Sequence, residues 1–393
     1  MRVILIRYGE IAIKGAKRDF FEQQLMDNIQ KTLEIPAERI RLYKAQIVID
    51  ADGLDIGLLL EKLKHVVGIV WYAEAETCEN DLEEISSIAT HIASQEIHQG
   101  QTFAIRSRRS DKSLPFDSMK LERTVGSAVG LNTGAKVNLD KPDVRITVVT
   151  SIEGAYVISK RLEGPGGLPV GTSETVLSLI SGGFDSIGAS YMMARRGAQV
   201  DFLHFHVYPN KSELLRTKIS PIIKKLSGIT LSKLVFFISY LPFEMKVLNL
   251  NRQAKRYETV VFRRLMARVG QTLAFEYGYL ALVFGDSLGQ VASQTMENIA
   301  AVQAAVSLPI FRPLIGMDKV NTVELVRKIG IFEEASKSYK DCCSILSPDP
   351  VLKAYMPMLD SVEESIEVEK VVEEMVASVE VIEVGELVNR KLL

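Results

Sequence analysis

The chain has 393 residues, of which 47% are hydrophobic and 24% charged. That is too long for a single compact core and too apolar for a disordered chain, so two or three globular domains are expected. The formal charge of −2 excludes an evenly basic nucleic-acid binder, and three cysteines without a CxxC exclude a disulfide framework or a zinc ribbon.

Arg7 and Glu10 interrupt the N-terminus too early for a signal peptide, and no run of about 18 apolar residues follows, so a cytoplasmic protein is expected. The spacing predicts a strand at 3–6, a helix over 20–33, strands at 40–43 and 47–50, and a helix over 56–64, a small α+β unit. A second unit follows, with a helix over 82–99, a strand at 102–107, a helix over 118–129 and strands at 144–149 and 156–159. Across its strand, loop and helix lie Arg106, Arg108, Arg109, Lys112, Lys120 and Arg123. Such a cluster suits an RNA phosphate backbone, although a basic loop also fits a solvated face. Phe103 and Phe116 interleave with it but read as core, and Cys78 reads as structural.

The segment EGPGGLPVGT at 163–172 is dense in Gly and Pro and reads as a linker. Beyond it come a strand at 176–180 with the look of one buried on both faces, a helix over 185–195, strands at 200–205 and 235–239, a helix over 254–277 and a strand at 279–284. This alternation predicts a doubly wound parallel sheet with helices on both sides. Arg263, Arg264 and Arg268 flank an apolar stripe and read as a solvated face. The tail, 361–393, sets nine glutamates against Lys370, Arg390 and Lys391, which leaves the rest of the chain net positive. It is expected to be an acidic, peripheral helix.

The strongest chemical signal is SGGFDS at 181–186, directly between a buried strand and a helix. There the first N–H groups of the helix and its dipole favour an anion, two glycines allow close backbone approach, and two serines add hydroxyls. Asp185 beside a polyphosphate calls for a divalent cation between them, and magnesium suits one carboxylate plus phosphate oxygens. The bland alternative is a glycine-rich helix N-cap. GGLPVGTS at 166–173 mimics a Walker A loop but has Thr172 in the lysine position and no preceding strand. It is set aside.

SGGFDS resembles the pyrophosphate loop of the ATP-pyrophosphatases. With HFHVYP at 204–209, FGDSLGQVASQT at 284–295, RPLIGMDK at 312–319 and DCCSILSP at 341–348, the chain closely resembles the tRNA uridine 4-sulfurtransferases, or 4-thiouridine synthases. RYGEIAIKG at 7–15 is similar to that family's ferredoxin-like domain, and 103–126 to its THUMP domain. The resemblance implies a ferredoxin-like domain at 1–58, a THUMP domain at 59–165, a linker at 166–173, a PP-loop ATP-pyrophosphatase domain at 174–360 and the tail at 361–393. It also implies ATP and Mg2+ as cofactors, tRNA as partner and substrate, a cysteine desulfurase or other persulfide donor, room for a homodimer, and a second role in thiamine thiazole synthesis.

The site residues follow by the same resemblance. Leu179, Ile180, His204 and Phe205 border the adenosine through strand-end backbone, Ser181, Gly182, Gly183, Asp185 and Ser186 take the phosphates, and Arg263, Gly285 and Gln294 complete the nucleotide pocket. His204 reads equally as a buried, hydrogen-bonded histidine, and Asp286-Ser287 as a helix cap. Asp185 and Lys319 serve adenylation, with Lys319 neutralising charge on the departing pyrophosphate. Cys343 handles persulfide sulfur, and a slip of one residue would give that role to Cys342. Without a rhodanese-like extension, an external thiol is the expected resolving group. The implied reaction is attack of a uridine 4-oxygen on the α-phosphorus of ATP, followed by displacement of AMP by sulfur, on a base turned out of its stack. Rival readings are a PP-loop ligase, a thiolase acting at carbon 2, and a non-catalytic tRNA-binding protein.

Overall fold

The computed structural model describes residues 1–43, 46–109, 114–342, 346 and 349–389. They form two compact units, Met1–Leu168 and Pro169–Leu393.

In the first unit the alternation read from the sequence becomes one sheet. Its strands are β1 (Arg2–Tyr8), β2 (Ile40–Tyr43), β3 (Gln46–Asp50), β4 (Ile69–Cys78), β5 (Thr102–Arg109), β6 (Lys136–Val137), β7 (Val144–Ser151), β8 (Gly154–Ile158) and β9 (Leu162–Glu163). They lie in the order β2-β3-β1-β4-β8-β7-β5-β6, with β9 paired to β4. The two regions that look separate in sequence are joined by β4, ten residues long, which pairs with β1 along most of its length and with β8 through Glu76, Thr77 and Cys78. Position 58, where the sequence suggests a boundary, falls inside the helix Ile56–Leu63.

Successive side chains of a strand face opposite ways. Ile4 and Ile6 of β1 therefore pack under the helices Arg18–Leu33 and Ile56–Leu63, while Val3 and Leu5 join a second cluster with Ala73, Ala75 and Tyr156. In the other half, Phe103 and Ile105 of β5 meet Leu121 and Val125 of the helix Ser118–Thr133, and Phe116 is buried with them. Asp55, Asp81 and Asp117 accept backbone N–H bonds at the starts of three helices, which satisfies donors that would otherwise be orphaned there.

The second unit holds β10 (Leu168–Leu179), β11 (Arg196–His206), β12 (Leu234–Ser239), β13 (Leu282–Val283), β14 (Ile310–Phe311) and β15 (Glu380–Glu383) in the order β14-β13-β10-β11-β12-β15. β13 runs parallel to both β10 and β14, and β11 parallel to β12. From β10 the chain goes to β11 and β12 on one side and later returns to β13 and β14 on the other. That reversal opens a crevice at the carboxyl end of β10, where ligands of doubly wound sheets bind.

Three expectations are corrected. The stretch 166–173 does hold the boundary between the two units, at Leu168/Pro169, but as strand rather than loop, because β10 already begins at Leu168 and Ser173 Oγ donates to the Arg196 carbonyl at 3.0 Å. The tail is not peripheral. Its helices Met356–Ser365 and Val368–Ala377 bury Val362, Ile366, Val368, Val371, Val372 and Met375 in the main core, and β15 adds to β12 as an antiparallel edge. Nor are Arg264 and Arg268 a solvated face. Both are clamped on Glu363, which is 5% exposed, because the valine stripe of the tail draws its glutamate inward with it.

Candidate nucleotide site and the groups around it

Residues 181–186 lie where β10 ends and the helix Phe184–Ala194 begins. Gly182 has φ +78°, a conformation costly for a residue with a side chain. Gly183 is the N-cap and offers no side chain to close the first turn, so the helix keeps its end open to an anion. Ser186 Oγ accepts from the Ser181 N–H at 3.1 Å and donates to the Gly183 carbonyl at 3.0 Å, which folds the loop back on itself. Gly285 must be glycine for a different reason. A Cβ there would come within 2.7 Å of the Asp185 carbonyl carbon and the Ser186 nitrogen, so the loop after β13 is seated directly on the phosphate-type turn.

Asp185 is not isolated. Its carboxylate accepts from Lys319 Nζ at 2.7 and 2.8 Å and from Gln290 Nε2 at 2.9 Å. Lys319, at the start of the helix Lys319–Lys328, thus brings its positive charge to the loop from far along the chain. Lys218 approaches from another side. Its Cε lies 3.4 Å from where a Gly182 Cβ would stand, and its ammonium donates to the Ala335 carbonyl at 2.7 Å. Burial lowers the Lys218 pKa.

His204 is completely buried. Its Nδ1 donates to the Ile180 carbonyl at 2.6 Å, which can only accept, and its Nε2 therefore accepts from the Tyr339 hydroxyl at 2.7 Å. Burial pushes its pKa down to about 4, so the ring is neutral. The ring is thus that of a buried, hydrogen-bonded histidine, and it ties the residue before the loop to Tyr339. Leu179, Ile180, Ser181 and Phe205 line a cavity of about 40 Å³ with Leu203, Phe262, Met266, Asp341 and Cys342. Cys342 is buried there, 2% exposed. Cys343 lies outside the described residues, as does Lys112. Burial raises the Cys78 thiol to about 11, which keeps it protonated and inert.

The reading of Asp286-Ser287 as a helix cap is corrected. Only a 3-10 turn at Ala292–Gln294, entered from Val291, comes before the next α-helix, which starts at Met296 and is capped by Thr295. Asp286 instead sits 1% exposed between Arg263 Nη2 and Arg312 Nε, the latter at 3.0 Å, with both guanidiniums over the Phe284 ring. Gln294 is buried, and its Oε1 has no partner among the described residues. Arg312, Gln290, Lys218 and Tyr339 escaped the sequence reading. An aspartate flanked by Gly and Ser was the one visible signal, and it fitted capping as well.

The basic cluster divides between the two faces of its sheet. Arg106 and Arg108 pair in register with Thr147 and Val149 of β7, on the face away from Ile105 and the helix Ser118–Thr133, which carries Lys120 and Arg123. Arg109 donates to the Phe116 carbonyl at 2.5 Å and Arg106 to the Leu139 carbonyl at 2.5 Å. Arg108 is joined by three residues the sequence reading omitted. Burial, then repulsion from Arg108, lowers the Arg7 and Arg161 pKa values, and Arg145 adds to the second. Arg161 lies 4.4 Å over the Trp71 ring. Like charges gathered this closely mark a surface suited to polyanions.

A doubly wound sheet with an uncapped SGG turn at its switch point, a lysine–aspartate pair on that turn and a separate arginine-rich sheet defines a PP-loop nucleotide-binding class with an appended RNA-binding-type unit. Family models match in the same order: a ThiI ferredoxin-like domain over residues 3–73, a THUMP domain over 79–159 and the thiamine biosynthesis protein (ThiI) over 171–368. The chain belongs to the ThiI family of tRNA sulfurtransferases. A "probable tRNA sulfurtransferase" of Thermoanaerobacter pseudethanolicus is 37% identical over 385 residues, covering 97% of this chain and 99% of that one. Its counterpart from Brevibacillus brevis is 36% identical over 388 residues, covering 97% and 96%. A 4-thiouridine synthetase crystallised as an RNA complex with bound ATP superposes with a TM-score of 0.85 at 26% identity, covering 98% of this chain and 99% of that one. No helix among the described residues is long and apolar enough to cross a membrane.

Proposed function

We propose that this protein is a cytoplasmic, ATP-dependent tRNA sulfurtransferase that converts a uridine to 4-thiouridine. The observation that carries the reading is the turn 181–186, uncapped, glycine-built and held between Lys319 and Gly285 at the switch point of the sheet. Backbone N–H groups of that turn, with Ser181 and Ser186, bind the phosphates of ATP, and Leu179, Ile180, Phe205 and Gln294 border its adenosine. His204 acts from behind by fixing the Ile180 carbonyl.

Among the described residues no group of three acidic, His or Cys side chains could cage a metal. A magnesium ion bound chiefly through phosphate oxygens needs only one protein carboxylate, and Asp185 fits that part. Its chemistry there would be to neutralise phosphate charge. Lys319, now on Asp185, turns to the β- and γ-phosphates and stabilises the charge that grows as pyrophosphate departs.

The uridine 4-oxygen attacks the α-phosphorus and pyrophosphate leaves. The terminal sulfur of a persulfide on Cys343 attacks carbon 4 and AMP departs with the former carbonyl oxygen, leaving a disulfide between Cys343 and the base. One external thiol attacks the Cys343 sulfur and frees 4-thiouridine, and a second thiol releases Cys343 from the resulting mixed disulfide, the two thiols giving up two electrons as they become a disulfide. A cysteine desulfurase or other persulfide donor recharges Cys343. In this scheme the regions 1–58 and 59–165 hold tRNA by its shape and phosphates, and 174–360 perform the chemistry.

Mass spectrometry of tRNA nucleosides after incubation with ATP, magnesium and a persulfide donor tests the reading. 4-Thiouridine should appear, and Cys343→Ala should keep pyrophosphate release but abolish it. Normal tRNA binding with no thiolated product would sink the proposal, and the same loss in Cys342→Ala alone would move the sulfur to that residue.

A further inference from the structure

Asp286 is a single carboxylate shared by two guanidiniums, and this group of three therefore carries a net positive charge in a nearly dry setting. The guanidinium carbons of Arg263 and Arg312 lie 5.4 and 5.9 Å from the centre of the Phe284 ring. Arg312 spends Nε on Asp286 and Nη1 on Gln303 Oε1 and the Ile310 carbonyl, at 3.2 and 3.1 Å. Among the described residues its Nη2 has no partner, nor do Arg263 Nε and Gln294 Oε1, and all three atoms are buried. A buried N–H left unmade costs about 1–3 kcal/mol, so two such donors on charged groups point to an acceptor that arrives from outside.

The place of the group says which acceptor. Arg312 follows β14 directly and Asp286 follows Gly285, whose backbone rests on Asp185 and Ser186. Both therefore stand at the carboxyl edge of the sheet, and Asp286 is one residue from Gly285, which is seated on the phosphate-type turn. A neutral carbonyl would satisfy the N–H groups and leave the surplus charge standing. An anionic oxygen answers both, and forked guanidinium donors match phosphoryl geometry.

We propose that Arg312 is a further nucleotide-binding residue, which with Arg263 grips phosphoryl oxygen of ATP while Asp286 holds the two guanidiniums in place. This rests on the nucleotide reading given above.

Calorimetric titration of the full chain with ATP and, separately, with adenosine tests it, using Arg312→Gln and Arg312→Lys and thermal unfolding without ligand as the folding control. Arg312→Gln should weaken ATP binding about 10- to 100-fold, the worth of a charge-assisted hydrogen bond, and leave adenosine unchanged. Arg312→Lys should fall between, because it keeps the charge and loses the fork. Should the glutamine variant fail to fold, the lysine variant carries the test with the same split between ATP and adenosine. Equal ATP affinity in the folded variants, or equal losses for ATP and adenosine, would overturn the assignment. A parent protein that binds no ATP at all would instead remove the nucleotide reading itself, and this inference with it.

Discussion

Two neighbouring arginines on the helix Glu258–Tyr277 meet opposite fates. Arg264 turns to Glu363, which Arg268 also clamps, whereas Arg263 turns to Asp286, which Arg312 clamps from the far side. Each group has one buried carboxylate between two guanidiniums, and the first adds two exposed carboxylates at its rim, Asp360 by Arg264 and Glu369 by Arg268. In the first, Arg264 gives Nε and Nη2 to the carboxylate and Nη1 to the Ala301 carbonyl, and Arg268 gives two bonds more. In the second, donors on both arginines are left over. A buried charge cluster closed on itself is a fastener for the tail. One with donors to spare is still open to a further acceptor.

The sharpest way to break this comparison is to remove the fastener. Glu363→Ala leaves the two guanidiniums only the exposed carboxylates of Asp360 and Glu369, at 3.8 and 3.6 Å, and should cost about 3–5 kcal/mol, read from the urea midpoint, while ATP affinity per folded molecule holds. A variant as stable as its parent but weakened toward ATP would invert the roles of the two groups. Next comes the loop side. Lys319→Gln should slow pyrophosphate release about 10²- to 10³-fold, as loss of one transition-state donor does, with the unfolding midpoint nearly unmoved because the Lys319–Asp185 pair is partly exposed. A large loss of stability with normal release would make that pair structural after all.

His204 supplies a pH window. Its folded pKa, about 4, lies below the ordinary 6.5, so the unfolded chain takes up the proton first. The contribution is complete above pH 6.5 and is lost as pH falls toward 4, on the order of 3 kcal/mol in all. Urea midpoints across that range should slope less in His204→Asn than in the parent, and identical slopes would remove His204 as the cause. The smallest effect is expected from Tyr339→Phe. It deletes one hydrogen bond to His204, about 1 kcal/mol, and should slow sulfur insertion more than pyrophosphate release, because Tyr339 leads the chain into Cys342 and Cys343. Equal slowing of both steps would separate Tyr339 from the sulfur-bearing segment.

Much of the fold was legible. Phe103 and Ile105 alternate over a half-buried strand, and the βα alternation beyond residue 174 becomes the parallel sheet expected of it. The tail was misread because nine glutamates dominate its composition, although its valines at helical spacing were the stronger statement about burial. Asp286 was misread because capping and clamping ask for the same residue type. Arg7, Arg145 and Arg161 were missed because they come from strands far apart in the chain and meet only across the sheet.

What the residues determined by themselves is local: a strand, two glycines and a helix start in direct succession make an anion-binding turn wherever the chain carries them. What the tertiary structure decided is partnership. Asp185 meets Lys319 across 134 residues, Asp286 meets Arg312 across 26 and Arg264 meets Glu363 across 99. Such pairings depend on which strands lie side by side, because a buried charge takes whichever opposite charge the closing sheet and its packed helices bring within reach.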